Sequence, residues 1–172
     1  MTIALDGSAG VTFPSGAVGN SALMTATAQN STSGTSIDFT GIPSWAKRIT
    51  IMLNGVSTNG ASLLLLQTGA GSITTSGYKG GCSKSTTVND NSAGFYISLN
   101  GSAGQTMQGI LILSYLGSNI WAQLGSLASG SGDATSIGAG AITLGGTLDR
   151  VRITTVNGTD TFDAGSINIL YE

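Results

Sequence analysis

Met107 to Leu127 reads MQGILILSYLGSNIWAQLGSL, and its pattern says more about fold class than any other segment of the chain. It contains the longest apolar run, which ends at Gly117-Ser118-Asn119 and is followed by a second apolar segment. Two such segments around a short connection with Gly and Asn are typical of a β-hairpin. We therefore predict antiparallel strands over 107–116 and 120–127.

Alternating apolar residues continue this pattern on both sides of the hairpin. Ile49, Ile51 and Leu53 share one face of a predicted strand, and Asn54-Gly55 follows as a predicted turn. Similar segments are 95–99, 150–155 and 167–171. Segment 62–67 instead has four consecutive leucines, which predict a strand buried on both faces. About eight to ten short strands with Gly or Asn turns, and no convincing helix, predict an all-β, jelly-roll-like antiparallel β-sandwich.

Composition excludes several classes of function. Charged residues make up 8% of the chain, which has six Lys and Arg, eight Asp and Glu, no His and one Cys. So few cations argue against nucleic-acid binding, and the absence of His excludes a Ser-His-Asp site. No run approaches the roughly 18 apolar residues of a membrane helix, so membrane insertion is not expected. We predict no cofactor and no metal site.

The chain divides by composition into two parts. Residues 1–36 are small and weakly apolar, with frequent glycines and a Phe13-Pro14-Ser15-Gly16 turn. This pattern predicts an extended N-terminal arm, whereas residues 37–172 carry the strand pattern and form the β-sandwich head. A flexible arm and an arm that packs against its copies fit the composition equally well.

Low charge also predicts self-association. The segments that would lie at sheet edges are flanked by Ser and Thr, so the Lys residues that usually block edge pairing are missing. Identical subunits placed side by side would cover such edges and any exposed apolar surface. We expect the chain to function as an oligomer.

Three stretches resemble bacteriophage tail fibre and related virion proteins. LDGSAGVTFPSG at 5–16 is similar to the opening of such proteins, IDFTGIPSWAKRI at 37–49 to the first strand-and-turn unit of their C-terminal β-domain, and AGSINILYE at 164–172 to its end. The resemblance implies a homotrimeric virion appendage, assembled in the host cytoplasm. Its arm would attach to other virion proteins of the baseplate, tail or capsid, and its head would bind a glycan or protein on the host surface.

A second function fits the same composition and fold. A capsid decoration protein or head fibre would also need an arm, a β-rich head and association with copies. Only the location on the particle separates this alternative from a tail fibre or receptor-binding protein. Both functions are non-enzymatic.

The predicted receptor contacts lie mainly in the longest polar segment, 76–94, which reads as a loop. A flat aromatic ring stacks on a sugar face, while amide, carboxylate and ammonium groups bind its hydroxyls. The candidates are Tyr78, Lys79, Asn89, Asp90 and Asn91, with Trp121 as a further aromatic candidate. The strand pattern around Trp121 favours packing in the core or at a subunit interface over contact with a receptor.

Paired carboxylates are the other chemistry considered, because glycosidases need two of them. Asp149, Asp160 and Asp163 are the nearest in sequence, with Asp90 and Asp133 further away. Several of them occupy turn contexts, where Asp hydrogen-bonds to its own backbone. We therefore predict structural roles for them and no catalytic residue.

Overall fold

The computed structural model describes residues 4–6, 10–12, 23–90, 92–99, 101–130 and 134–172. These residues form strands and contain no helix, so none of them belongs to a helix that could cross a membrane. The strands are β1 (Ala4–Asp6), β2 (Gly10–Thr12), β3 (Met24–Thr25), β4 (Gln29–Asn30), β5 (Ser36–Thr40), β6 (Arg48–Thr58), β7 (Leu64–Ala70), β8 (Ser72–Ile73), β9 (Lys79–Lys84), β10 (Thr87–Asn89), β11 (Phe95–Ser98), β12 (Met107–Gly117), β13 (Ile120–Ser129), β14 (Thr135–Thr143), β15 (Arg150–Thr155) and β16 (Phe162–Tyr171).

Two antiparallel sheets form a sandwich, which confirms the predicted fold class. The large sheet has the order β10-β9-β14-β13-β12-β6-β16, with β3 and β4 both paired to the far side of β16. The small sheet has the order β11-β7-β15-β5, with β8 paired to β7. From β5 to β16 the chain passes repeatedly from one sheet to the other, while the hairpins β9–β10 and β12–β13 stay within the large sheet.

The hairpin predicted over 107–127 is confirmed as β12 and β13. Ser118 and Asn119 form its tip and both have positive φ, 49° and 59°. Positive φ at both central residues matches the right-handed twist of the strands, as in a type I′ turn. The hairpin therefore places β12 and β13 in the middle of the large sheet.

The turn predicted at Asn54-Gly55 is wrong, because β6 continues through these residues to Thr58. The register shifts here against both neighbouring strands, and the positive φ of Gly55 marks a β-bulge. Gly165 of β16 lies against this point, where an added Cβ would come within 2.4 Å of the Gly55 carbonyl oxygen. The Gly that suggested a turn instead allows three long strands to bend together.

Alternation along the strands fills the space between the sheets. Ile49, Ile51 and Leu53 face the core as predicted, and so do Val151 and Ile153 from the small sheet. Each such side chain contributes about 1.5–3 kcal/mol when fully buried. The run of leucines before Gln67 also forms the predicted strand, β7, which is buried on both faces.

Part of the predicted arm belongs to the sandwich. β3 and β4 pair with β16, and the buried Ser31 hydroxyl donates to the Ala164 carbonyl oxygen at 2.8 Å. Packing against the sheet therefore begins at Met24, before the predicted boundary at 36/37. The rest of the predicted arm lies outside the described residues, apart from the β1–β2 hairpin.

Candidate functional site

Residues 76–94 do not form the predicted loop, because most of them lie in a β-hairpin at the edge of the large sheet. β9 pairs with β14 on one side and with β10 on the other. The sequence of β9, KGGCSK, has little strand propensity of its own. The hydrogen bonds offered by β14 outweigh this preference.

This edge brings two of the predicted contact residues together. Lys79 starts β9, Asp90 follows β10, and both line one small cavity. We call it the hairpin cavity; it is lined by Lys79, Gly80, Gly81, Asp90, Gly94, Phe95, Tyr96, Gln123 and Ala139. Asn89 is half-buried at the end of β10 beside it, whereas Asn91 lies outside the described residues.

Glycine makes the close approach of β9 and β14 possible at this point. Gly80 has a φ of 141°, and an added Cβ would come within 2.2 Å of the Ala139 carbonyl oxygen. Gly140 lies opposite it in the register, and a Cβ there would come within 2.9 Å of the Phe95 ring. Any side chain at these positions would push β9 or Phe95 away.

Gln123 is the functional candidate that sequence reasoning missed. It is only 3% exposed, and neither its amide nitrogen nor its amide oxygen has a hydrogen-bond partner within the described protein. Buried amides normally satisfy both groups. The hairpin cavity beside it has a volume of about 10 Å³, which is enough for one water molecule or one ligand hydroxyl. The sequence did contain a signal for this site. Gln123 is a polar residue at an inward position of β13, between Trp121 and Leu127.

Opposite charges lie on the rim of the same cavity. Lys79 and Asp90 are both exposed, and neither belongs to the ion pairs of the described residues. Lys79 offers donors, Asp90 offers acceptors and Gln123 offers both. The arrangement suits a neutral, hydroxyl-bearing ligand better than a strongly charged one.

Tyr78 is not available for stacking on a ligand, so its predicted exposure was wrong. Its ring is 4% exposed and packs edge-to-face on Phe95 at 4.8 Å. Its hydroxyl accepts a hydrogen bond from the Thr68 backbone N–H at 2.7 Å and donates to the Thr74 carbonyl oxygen at 3.0 Å. Burial raises the pKa of Tyr78 above its ordinary value. The residue ties the start of β9 to the small sheet.

Trp121 is also a core residue, which corrects the second aromatic candidate. Its ring is 3% exposed and lies against Tyr115 with centroids 5.3 Å apart. Its indole N–H has no partner within the described protein, and it lines a different cavity of about 30 Å³, together with Lys47. The structure therefore does not bring Trp121 together with Lys79 and Asp90.

Three of the carboxylates considered for catalysis, Asp149, Asp160 and Asp163, have structural partners, and Asp133 lies outside the described residues. The Arg150 guanidinium donates two hydrogen bonds to Asp149 at 2.8 and 3.0 Å, and this interaction lowers the pKa of Asp149. Asp163 accepts from the Ser57 hydroxyl, and Asp160 accepts from the Ser62 backbone N–H and the Asn157 amide. A glycosidase acid needs a raised pKa, the opposite of the direction at Asp149.

The described part of the chain has no group of three or more His, Cys, Asp and Glu residues placed to hold a metal ion. Cys82 lies buried in β9, so its predicted place in an open loop was wrong. Burial raises its pKa to about 11, which keeps the thiol protonated and unreactive at neutral pH.

Two comparisons, with protein-family models and with curated proteins, give no match for the chain. No protein-family model matches it. No curated protein shows significant sequence similarity to it.

Proposed function

We propose that this chain is a bacteriophage virion protein, a tail fibre or receptor-binding protein that attaches the particle to the host cell surface without catalysis. The observation that carries the proposal is the hairpin cavity. There, two exposed opposite charges of the edge hairpin and a buried amide of β13 without internal partners line the same cavity. Polar groups left without internal partners at a surface favour recognition of an external ligand.

Recognition accounts for this surface better than catalysis does. The hairpin cavity contains one carboxylate, Asp90, whereas Asp149, Asp160 and Asp163 are engaged in structural hydrogen bonds. Hydrolysis of a glycan needs a second carboxyl group nearby and a proton donor with a raised pKa. The ligand class we propose is a host glycan, because sugar hydroxyls both donate and accept hydrogen bonds.

The rest of the proposal concerns architecture. We propose that the head has jelly-roll-like topology, supported by the repeated passage of the chain between the two sheets. We also propose that three copies form the working unit, and that residues before the sandwich attach it to the baseplate, tail or capsid. The low charge of the chain supports association between copies.

Binding to host cells tests the function. The full chain, fluorescently labelled, is titrated onto cells of the host bacterium alongside Lys79→Ala and Asp90→Ala. Each variant removes one polar contact, so we expect about tenfold weaker binding with an unchanged melting temperature. Lys84→Ala is the matched control, because it removes a cation from the same strand outside the hairpin cavity.

Two outcomes would contradict attachment. Both cavity variants binding like the control would remove the hairpin cavity from the proposal. A wild-type chain that does not bind host cells, and that immunogold labelling places over the icosahedral shell, would favour a capsid decoration protein or head fibre.

A further inference from the structure

The outer face of the large sheet carries exposed apolar side chains at its centre. Ile110 is 51% exposed, and Leu124 and Ile137 are each 58% exposed. They come from three consecutive strands, and the register places Ile112 opposite Leu124 and Ser126 opposite Ile137. Directly opposed residues in an antiparallel pair share one face of the sheet. We call this surface the apolar face; it comprises Ile110, Ile112, Leu124, Ser126, Ile137 and Ala139.

On this face, directly paired residues of neighbouring strands form lines that run across the sheet. The two central lines contain no charged side chain. One line continues to Met52 of β6 and Ser83 of β9, and the other to Thr50 and Gly81. The nearest charges on the same side are Arg48 and Lys79, which belong to the next line. Arg48 already pairs with the Glu172 carboxylate at 3.2 Å, so the charges lie beside the apolar face. A copy of this chain packed on the face would bury no charge in its centre.

Removing water from this face would leave no backbone N–H or C=O group without a hydrogen bond. β12, β13 and β14 each have a hydrogen-bonded neighbour on both sides, so their N–H and C=O groups are already paired. Only methyl and hydroxyl groups would lose water. Removing apolar surface from water favours association.

The outer surface of the whole large sheet is large enough for a subunit interface, and the apolar face lies at its centre. Seven strands at about 4.8 Å spacing, and about 20 Å along each strand, give this surface a nearly flat area of about 600 Å² before side-chain relief is added. A standard interface covers about 800 Å² of accessible surface per partner, so most of the sheet would have to take part. An apolar centre surrounded by a polar rim is typical of such interfaces.

We propose that the apolar face is the surface through which identical copies of this chain associate, each turning it toward a common axis. The inference rests on the trimer of the proposed function. A copy of the same chain is the fitting partner because its own face is equally uncharged. Nucleic acid would require cations and a sugar would require polar groups or an aromatic ring, and the six residues of the apolar face supply neither cations nor rings.

Sedimentation velocity or mass photometry of the full chain at micromolar concentration tests this. Leu124→Lys combined with Ile137→Lys places two charges in the contact, so we expect at least about a hundredfold weaker association, with monomer predominating. Val156→Lys is the matched control, since Val156 is also an exposed apolar residue but lies in the loop between β15 and β16. The control should keep the oligomeric state of the wild type.

A thiol probe gives a second readout that needs only a mild substitution. Cys82 is buried, so Ser126→Cys creates the accessible thiol within the apolar face. We expect maleimide to label it at least tenfold more slowly in the assembled protein than after dilution to monomer. Thr159→Cys, in an exposed turn, should react at one rate in both states.

The outcomes separate this inference from the proposed function. A double Lys variant that remains trimeric, or equal labelling of Ser126→Cys in both states, overturns the apolar face as the interface and leaves the trimer standing. A monomeric wild type overturns both the trimer and this inference. A monomeric wild type whose double Lys variant loses host-cell binding would assign the face to a receptor instead.

Discussion

The outer face of the small sheet pairs its charges, whereas the apolar face of the large sheet carries none. On β5 and β15, Arg152 donates to both carboxylate oxygens of Asp38, at 2.6 and 2.7 Å. Asp38 and Arg152 are opposite each other in the register, as Ser126 and Ile137 are on the large sheet. Both faces follow the same alternation, so the difference lies in what each face contacts. The small sheet pairs its charges with one another, whereas the large sheet leaves apolar side chains exposed at its centre.

β14 shows the same contrast within one strand. Ile137 points outward and is exposed, while Gly140 lies where the strand passes the Phe95 ring. A half-buried strand ordinarily carries its large apolar residues inward. On the inner side of β14, Gly140 leaves room for Phe95, and the large side chain of Ile137 lies on the outer face.

The largest expected effect comes from filling that inner space. We expect Gly140→Val to lower the free energy of unfolding by about 3 kcal/mol, because its side chain would meet the Lys79 carbonyl oxygen and the Phe95 ring. Urea denaturation measures the change. Thr143→Val, at an exposed position of the same strand, should shift it by less than about 0.5 kcal/mol. Equal effects of the two substitutions would show that the inner side of β14 tolerates bulk.

A smaller effect is expected from the charged face. Arg152→Ala removes a half-exposed bidentate pair, so we expect a loss of up to about 1 kcal/mol and no change in oligomeric state. High salt should reduce this loss by screening the pair, while association through the apolar face should not weaken. Arg152→Lys should fall between the wild type and Arg152→Ala. Dissociation of the Arg152→Ala assembly would contradict the division of roles between the faces.

The smallest effect concerns pH. The hydrogen bond from Arg150 lowers the pKa of Asp149 below its ordinary value of 3.8. A carboxyl with a lowered folded-state pKa stabilises the protein above its unfolded-state value and loses that contribution as pH falls through the folded value. We expect Asp149→Asn to cost a few tenths of a kcal/mol at pH 7, because the pair is partly solvent-screened. Thermal melts from pH 7 to 2 should show the two proteins converging, and a widening gap would reverse the sign.

The candidate site was partly predictable. Lys79 and Asp90 stood out as polar residues in a polar segment, and the structure places both on one cavity. Tyr78 was predicted to be exposed, but the strands around it bury its ring, whereas the strand pattern around Trp121 already favoured packing in the core. Gln123 was missed because its lack of partners depends on which residues of β9 and β14 lie beside it.

Residues near one another in the chain were enough to predict three features. These are the antiparallel strands, the hairpin tip at Ser118-Asn119 and the Ile, Leu and Val side chains that face the core. Hydrophobic alternation and turn preferences depend on only a few neighbouring residues, so the sequence alone is enough to predict them. The three-dimensional packing decided the other features. It determined that Gly55 forms a bulge and not a turn, which aromatic rings are buried, and which sheet face keeps its apolar side chains exposed. These outcomes arise from pairing between strands far apart in the chain, where the hydrogen bonds and contacts of a neighbouring strand outweigh local preference.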